Sequence, residues 1–89
     1  MRPLVSWMTK SDDAILELLE ESGIAIPPRA IAFNIDNVSR PTVDRRLSKL
    51  EQAGLVDRYD DPQGYTEITD RGRAYLDGEL DADDLEEQR

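Results

Sequence analysis

The segment from Ser39 to Gly54 constrains the fold most, because it has the features of one amphipathic helix with defined ends. Ser39 is a residue type that caps helix N-termini, and Pro41 suits the first helical turn. An apolar stripe with the spacing i, i+4 and i+7 follows, consisting of Val43, Leu47 and Leu50. This spacing predicts a helix that packs one side on a core and runs to about Ala53, before Gly54 ends it.

Basic side chains collect on the polar side of the same predicted helix. The cations are Arg40, Arg45, Arg46 and Lys49. Only Asp44 opposes them between Ser39 and Leu50, although the chain as a whole has a net charge of −9. The stripe should turn them outward together with Ser39 and Thr42.

These residue types are the ones that read DNA from a helix. Arginine can make a bidentate pair with guanine, serine and threonine reach base edges or phosphates, and lysine suits a phosphate as a point charge. Residues near the N-terminal end of such a helix reach the bases, which favours Arg40, Pro41, Thr42 and Arg45. The alternative is a solvated face, on which Asp44 and Glu51 simply pair with neighbouring cations.

Two further helices are predicted before this segment. Residues 9–12, Thr-Lys-Ser-Asp, form a capping-box pattern, and Gly23 would end a first helix at about 10–22. Its apolar residues are Ile15, Leu16, Leu18 and Leu19. Pro27 and Pro28 suit the start of a second helix over about 28–35, and Asn37 is a natural turn residue.

A hairpin and a fourth helix are predicted after it. Residues 55–59 and 65–69 are rich in strand-forming types, and the turn cluster Asp-Asp-Pro-Gln-Gly at 60–64 lies between them. Asp70 would cap a helix that turns Ala74 and Tyr75 inward. The last stretch is acidic and short of apolar residues, so we expect it to extend that helix or to fray.

The element order is therefore helix, helix, helix, hairpin, helix, which is a mainly α chain with a small β-hairpin (α+β). A tight turn between the second and third helices makes this a helix-turn-helix followed by a wing. We expect an N-terminal arm at 1–8, a winged helix-turn-helix domain at 9–78 and an acidic tail or helix extension at 79–89.

Composition removes several classes of function. The 89 residues include neither cysteine nor histidine, which excludes disulfides, thiolate metal sites and the commonest general base. No apolar run approaches the roughly 20 residues of a membrane span, so we expect a cytoplasmic protein. The acidic residues from Asp81 to Glu87 lack the spacing of a calcium loop. We expect no enzyme activity, no cofactor, no metal and no small-molecule substrate.

The charged residues have an unusual make-up. Asp and Glu number 20, and the 11 basic residues include only two lysines, Lys10 and Lys49. Abundant Asp with little Lys resembles proteins of salt-loving archaea, in which hydrated carboxylates keep surfaces soluble. An ordinary acidic protein with an acidic tail is the alternative.

Two stretches resemble a known family. The pattern Ser-Arg-x-Thr-Val-x-Arg-Arg-Leu-x-x-Leu-Glu-x-x-Gly-Leu, then Ile-Thr-x-x-Gly-x-x-Tyr-Leu, covers about 39–76 and resembles MarR-like winged-helix repressors. Residues 7–23, WMTKSDDAILELLEESG, with the acidic tail, resemble the haloarchaeal family related to the phage phi-H repressor. The resemblance implies a transcriptional repressor that binds double-stranded DNA as a homodimer at a pseudo-palindromic operator.

Carried over by position, the resemblance assigns DNA contacts to the third helix. These are Arg40, Thr42, Arg45, Arg46 and Lys49. The wing departs from basic members of the family, since its tip is acidic and Arg58 is the only nearby cation. It would approach a phosphate through Arg58, Gln63 or backbone N–H groups. The competing interpretation is a winged helix that binds proteins of the transcription machinery and not DNA.

The arm leaves its role open. Trp7 is either a dimer contact or a lid on the domain's own core. Leu4, Val5 and Trp7 look exposed in the sequence, so dimerisation through residues 1–8, the first helix or the last helix is a hypothesis.

Overall fold

Three helices, a two-stranded hairpin and two shorter helices follow one another in the computed structural model, which describes residues 3–59 and 64–86. They are α1 (Lys10–Ser22), α2 (Pro28–Asn34), α3 (Arg40–Gln52), β1 (Val56–Tyr59), β2 (Tyr65–Ile68), α4 (Asp70–Leu76) and α5 (Ala82–Glu86). The predicted mainly α fold with a hairpin wing is confirmed. The predicted wing tip at 60–63 lies outside the described residues. No described helix has the length and apolarity needed to cross a membrane.

The core forms where the apolar stripes of α1 and α3 meet the hairpin. Both stripes are fully buried, with Ile15, Leu16 and Leu19 from α1 and Val43, Leu47 and Leu50 from α3. The hairpin and its flanks add Leu55, Val56 and Ile68, and α4 adds Tyr75. Because α3 packs this stripe on the core, most of its other side is left for the surface.

Side-chain caps set the starts of the main helices. Thr9 and Asp12 form the predicted capping box, in which the Asp12 carboxylate accepts from Thr9 N at 2.8 Å. Ser39 caps α3 by accepting from Thr42 N at 3.3 Å. The prediction for α4 is wrong by one residue: Thr69, not Asp70, is the cap. Thr69 Oγ1 accepts from Gly72 N and donates to the Gly54 carbonyl at 2.7 Å, so this cap also ties α4 to the end of α3.

A single residue before α2 extends the sheet. β1 and β2 are antiparallel, with Val56 opposite Ile68. Ile26 forms an isolated bridge to Thr66, through N–H···O=C bonds of 2.9 and 2.8 Å in the two directions. Sequence reasoning did not find this bridge, because one residue beside two prolines has no strand pattern. The bridge fixes the wing to the start of the helix-turn-helix.

The two ends of the described chain pack together on the core. The chain leaves helical geometry at Gly78, whose φ is 76°, and residues 82–86 then form α5 instead of extending α4. Leu85 is 0% exposed and Val5 is 8% exposed. Trp7 Nε1 donates to the Leu85 carbonyl at 2.9 Å. Of the two roles considered for Trp7, these contacts make it a lid on the domain's own core.

Packing around Gly72 leaves no room for a side chain. A Cβ there would lie 2.4 Å from the Leu55 carbonyl oxygen and 2.6 Å from Ile68 Cγ1. Real Cβ atoms do not approach backbone oxygen so closely, so α4 could not pack on the hairpin unless it moved away. The Gly in Arg-Gly-Arg thus permits the contact between α4 and the wing base.

We therefore expect Gly72→Ala to lower the free energy of unfolding by about 1–3 kcal/mol or more. At an uncrowded helix position, Gly→Ala would instead raise the free energy of unfolding by about 0.5–1 kcal/mol. The sign of the change therefore shows whether the site is crowded. Gly23→Ala is the control, because no heavy atom lies within 4 Å and only its positive φ is strained. Chemical denaturation of both variants measures this, and a Gly72→Ala protein as stable as wild type would contradict the close approach.

Candidate nucleic-acid interface

The outward side of α3 begins with a hydrogen-bonded group of three polar residues. Ser39 Oγ donates to Thr42 Oγ1 at 3.0 Å, and Arg45 Nη2 donates to the same Thr42 oxygen at 3.4 Å. Ser39 and Arg45 are exposed, as is Pro41 between them. The cap, the threonine and the arginine therefore form one surface at the N-terminal half of the helix.

Arg45 is the cation on this surface that is freest to contact a ligand. Within residues 3–59 and 64–86 it makes no ion pair, and its hydrogen bond goes to a neutral hydroxyl. Arg40 differs, since its Nε lies 3.4 Å from an Asp44 carboxylate oxygen. Both of those side chains are about half exposed, so the pair contributes little and a phosphate could replace it.

Arg46 does not lie on the outward surface, so the expectation that it turns outward with the other cations of α3 is wrong, and a DNA contact by Arg46 stays a prediction. Its Nε and Nη2 donate to the two carboxylate oxygens of Asp12 at 2.8 and 2.6 Å, and Nη2 also donates to the Trp7 carbonyl at 2.9 Å. The Arg46 side chain is 18% exposed and that of Asp12 is 0% exposed. Hydrogen bonding to Asp12 raises the pKa of Arg46 above its ordinary value, so this guanidinium stays charged at every pH relevant to the fold.

The helical geometry explains this placement. At 3.6 residues per turn, Arg46 lies roughly 60° from the centre of the apolar stripe, whereas Arg45 lies on the far side of the helix. A long basic side chain at the border of a buried stripe can turn inward when a carboxylate lies within hydrogen-bonding distance. Asp12 is that carboxylate, and the sequence signal for it was the capping box at the start of α1.

Lys49 lies one turn further along α3 and contacts the arm. Its Nζ is 5.7 Å from the centroid of the Trp7 ring, within the range of a cation–π interaction. The lysine side chain remains exposed. Sequence reasoning missed this contact, as it missed the role of Trp7 as a partner of α3.

Arg58 lies on the wing and is not part of the α3 surface. It is half-buried in β1, opposite Thr66. A Cβ on Gly64 would lie 3.7 Å from Arg58 Nη2 and 4.0 Å from Pro28 Cδ, so the guanidinium lies beside Gly64, just before β2, and near the start of α2. Gln63, the other wing residue expected to approach DNA, lies outside the described residues.

The other face of the wing is acidic. Asp57 and Glu67 lie directly opposite each other across the hairpin. The Tyr59 hydroxyl donates to the Glu67 carboxylate, and this hydrogen bond raises the pKa of Tyr59. Carboxylates in this position would repel phosphate, so a wing contact with DNA would have to use the Arg58 side.

Stability measurements should separate the two neighbouring arginines. Removing one partner of a buried pair leaves the other charge unpaired, so Arg46→Ala should lower the free energy of unfolding by about 3 kcal/mol. Arg45→Ala should change it by no more than about 0.5 kcal/mol, as for other surface substitutions. Urea unfolding of both variants measures the difference, and equal effects would mean that Arg46 is not held as described.

Comparison with known proteins agrees with this architecture. A family model described as "winged helix-turn-helix phage repressor" matches residues 1–88. The "Repressor protein" of Halobacterium phage phiH is 37% identical over 94 residues, which cover 97% of this chain and 98% of that protein. The crystal structure of the PhiH1 repressor-like protein from Haloarcula marismortui superposes with a TM-score of 0.80 at 39% identity, covering 92% of this chain and 91% of that one. The chain belongs to the winged helix-turn-helix phage repressor family.

Proposed function

We propose that this protein is a sequence-specific DNA-binding repressor of transcription that reads the major groove with the N-terminal half of α3. The observation that carries the proposal is the exposed group formed by Ser39, Thr42 and Arg45, in which the arginine has no carboxylate partner among the described residues. Membership of the repressor family supports it. A helix with one side buried and such a group on the other is what groove binding requires.

The roles of the contacts follow from their positions. Arg45 reaches a base edge and pairs with guanine, and Thr42 orients it through their hydrogen bond. Arg40 exchanges Asp44 for a backbone phosphate. Ser39 and Pro41 lie in the first turn, where backbone N–H groups also favour a phosphate. Lys49 and, from the wing, Arg58 neutralise phosphates on either side of the groove contact.

We infer a homodimer from the size of this reading surface. One half-helix covers only a few base pairs, and two copies related by a two-fold axis would cover half-sites one helical turn apart. On the arm, Leu4 is 93% exposed although its neighbour Val5 is buried. Because the arm packs on α5 through the Trp7–Leu85 hydrogen bond, this exposed apolar side chain makes the paired ends of the chain the preferred dimer surface.

Sedimentation tests the homodimer. In high KCl at tens of micromolar, the wild-type chain should sediment as a dimer of the 10.1 kDa chain, and Leu4→Ser should shift it toward monomer. Ile24→Ser is the control, because Ile24 is also an exposed apolar residue but lies in the loop after α1. A wild-type protein that stays monomeric would contradict the proposal.

A protein-binding module of the transcription machinery remains the second candidate, because of one exposed apolar patch. Phe33 on α2 is 88% exposed, and with Pro27, Arg29 and Ala30 it lines a shallow pocket of about 370 Å³. The net charge of −9 also suits a basic protein partner. This candidate gives no role to Arg45, and DNA binding by Arg45 variants therefore distinguishes the two.

We further propose that the protein functions in a cytoplasm of high salt, as the excess of Asp over Lys suggests. At about 1 M salt the screening length is near 3 Å, so phosphate contacts lose most of their value. Base-edge hydrogen bonds and shape fit then carry a larger share of specific binding than usual. Affinity measurements belong in KCl at several concentrations for this reason.

The direct test is binding to an operator obtained by selection from random duplex DNA in high KCl. Arg45→Ala should weaken binding to the selected operator by about 1–3 kcal/mol and relax preference at one base position. Arg73→Ala is the matched control, since it removes an exposed arginine that pairs with Glu20 and Asp70 away from α3. Equal affinities of the two variants would remove α3 from the interface.

A further inference from the structure

The buried pair between α1 and α3 has a geometry more specific than stability alone requires. We infer that Asp12 and Arg46 are positioning residues for DNA recognition, which fix the rotation of α3 so that Arg45 and Thr42 meet the base edges in register. This inference rests on the proposed DNA binding and assigns a role in it to two residues that do not touch DNA.

The two-point contact between Arg46 and Asp12 fixes their relative orientation. Arg46 donates two hydrogen bonds, from Nε and Nη2, to the two oxygens of one carboxylate at 2.8 and 2.6 Å. Because a guanidinium and a carboxylate are both planar, this arrangement allows one relative orientation, whereas apolar contacts have no direction. The buried stripe of α3 brings it to the core, but the stripe alone tolerates small rotations about the helix axis.

The Asp12 carboxylate is itself held in place. Asp12 Oδ2 accepts from Thr9 N at 2.8 Å, as part of the capping box that starts α1. The Trp7 carbonyl accepts a further hydrogen bond from Arg46 at 2.9 Å. These contacts fix the rotation of α3 relative to the first turn of α1 and to the arm.

The Asp12–Arg46 pair is coupled to the surface formed by Arg45 and Thr42. Arg45 precedes Arg46 directly, so the angle between their side chains is set by the helix at about 100°. A rotation of α3 that loosened Arg46 would swing Arg45 by the same angle. Bidentate contact with a base tolerates errors of only about 10–20°.

The pair is also protected from salt. Exposed ion pairs lose strength at high ionic strength, but the Asp12 side chain is 0% exposed, and buried pairs are screened much less. Positioning by this pair therefore persists in salt that weakens the contacts of Arg40 and Lys49 with phosphate.

The decisive variant is Arg46→Lys, which keeps the positive charge beside Asp12 and removes the two-point contact. We expect the folded variant to bind the selected operator about tenfold more weakly while its affinity for random duplex DNA changes less than about twofold. Tyr75→Phe is the matched control, because it removes the 2.6 Å hydrogen bond that the Tyr75 hydroxyl of α4 donates to the Asp13 carboxylate of α1. Tyr75→Phe should cost stability but should leave the ratio of specific to non-specific affinity unchanged.

A second variant guards against loss of the fold. Asp12→Asn with Arg46→Met keeps an acceptor for the cap and fills the space without any buried charge. It should regain stability relative to Arg46→Ala yet keep the reduced ratio of specific to non-specific affinity. A wild-type ratio in this double variant and in Arg46→Lys would show that the pair is only structural and would overturn the inference.

The same assays separate this inference from the proposed function. If Arg45→Ala loses operator affinity while Arg46→Lys retains it, positioning is overturned and DNA reading by α3 stands. If the wild-type chain enriches no sequence from random DNA in high KCl, the proposed function is overturned and the positioning role with it.

Discussion

The bidentate contact of Arg46 with Asp12 is the interaction on which the arrangement of the molecule depends. It joins the first turn of α1 to the middle of α3, and through the Trp7 carbonyl it also holds the arm. Buried ion pairs are poor sources of net stability, because desolvation of both charges offsets most of their attraction. Apolar residues of the same volume would hold the helices together about as well. What the pair adds is a direction, because it sets the rotation of α3 about its own axis.

The same contact changes the electrostatics of the helix. Four cations in an acidic chain suggest a strongly basic face, yet one is turned inward and another pairs with Asp44. A third, Lys49, lies over the Trp7 ring. The surface that remains is small and centred on Arg45. In the proposed DNA complex, such a surface would attract DNA weakly at long range and depend on fit at short range, as the proposed high-salt setting would require.

Local signals in the sequence predicted the elements well. The predicted ends of α1 and α3 lie within about one residue of the observed ones. The signals that set them are the capping box of α1, the serine cap and proline of α3, and the glycine after each helix, and these signals act within a single turn of helix. The hairpin followed from strand-forming residues around a turn. The α4 cap was misplaced by one residue, since Thr69 and Asp70 are both good capping residues and only the Gly54 carbonyl favours the former.

The features that sequence reasoning missed are contacts between distant residues. Arg46 and Asp12 are 34 residues apart, and Trp7 and Leu85 are 78 apart. No periodicity reports which side chains meet across such separations. The prediction that Arg46 points outward was wrong. It grouped Arg46 with the other cations of α3, although the helical geometry puts Arg46 at the border of the apolar stripe. Leu85 was overlooked for a similar reason, as a lone leucine in an acidic stretch has no pattern around it.

Trp7 shows why these distant contacts matter for function. Its carbonyl accepts from Arg46, its indole N–H donates to the Leu85 carbonyl, and its ring faces Lys49. Two elements therefore meet at one residue of the arm, α3 through two contacts and α5 through one. In a domain of this size the core is small, so end segments that close it also stiffen what they touch. In the proposed homodimer, a partner subunit seated on the arm and α5 would contact the residue that holds Arg46, so dimer formation would act on the orientation of α3.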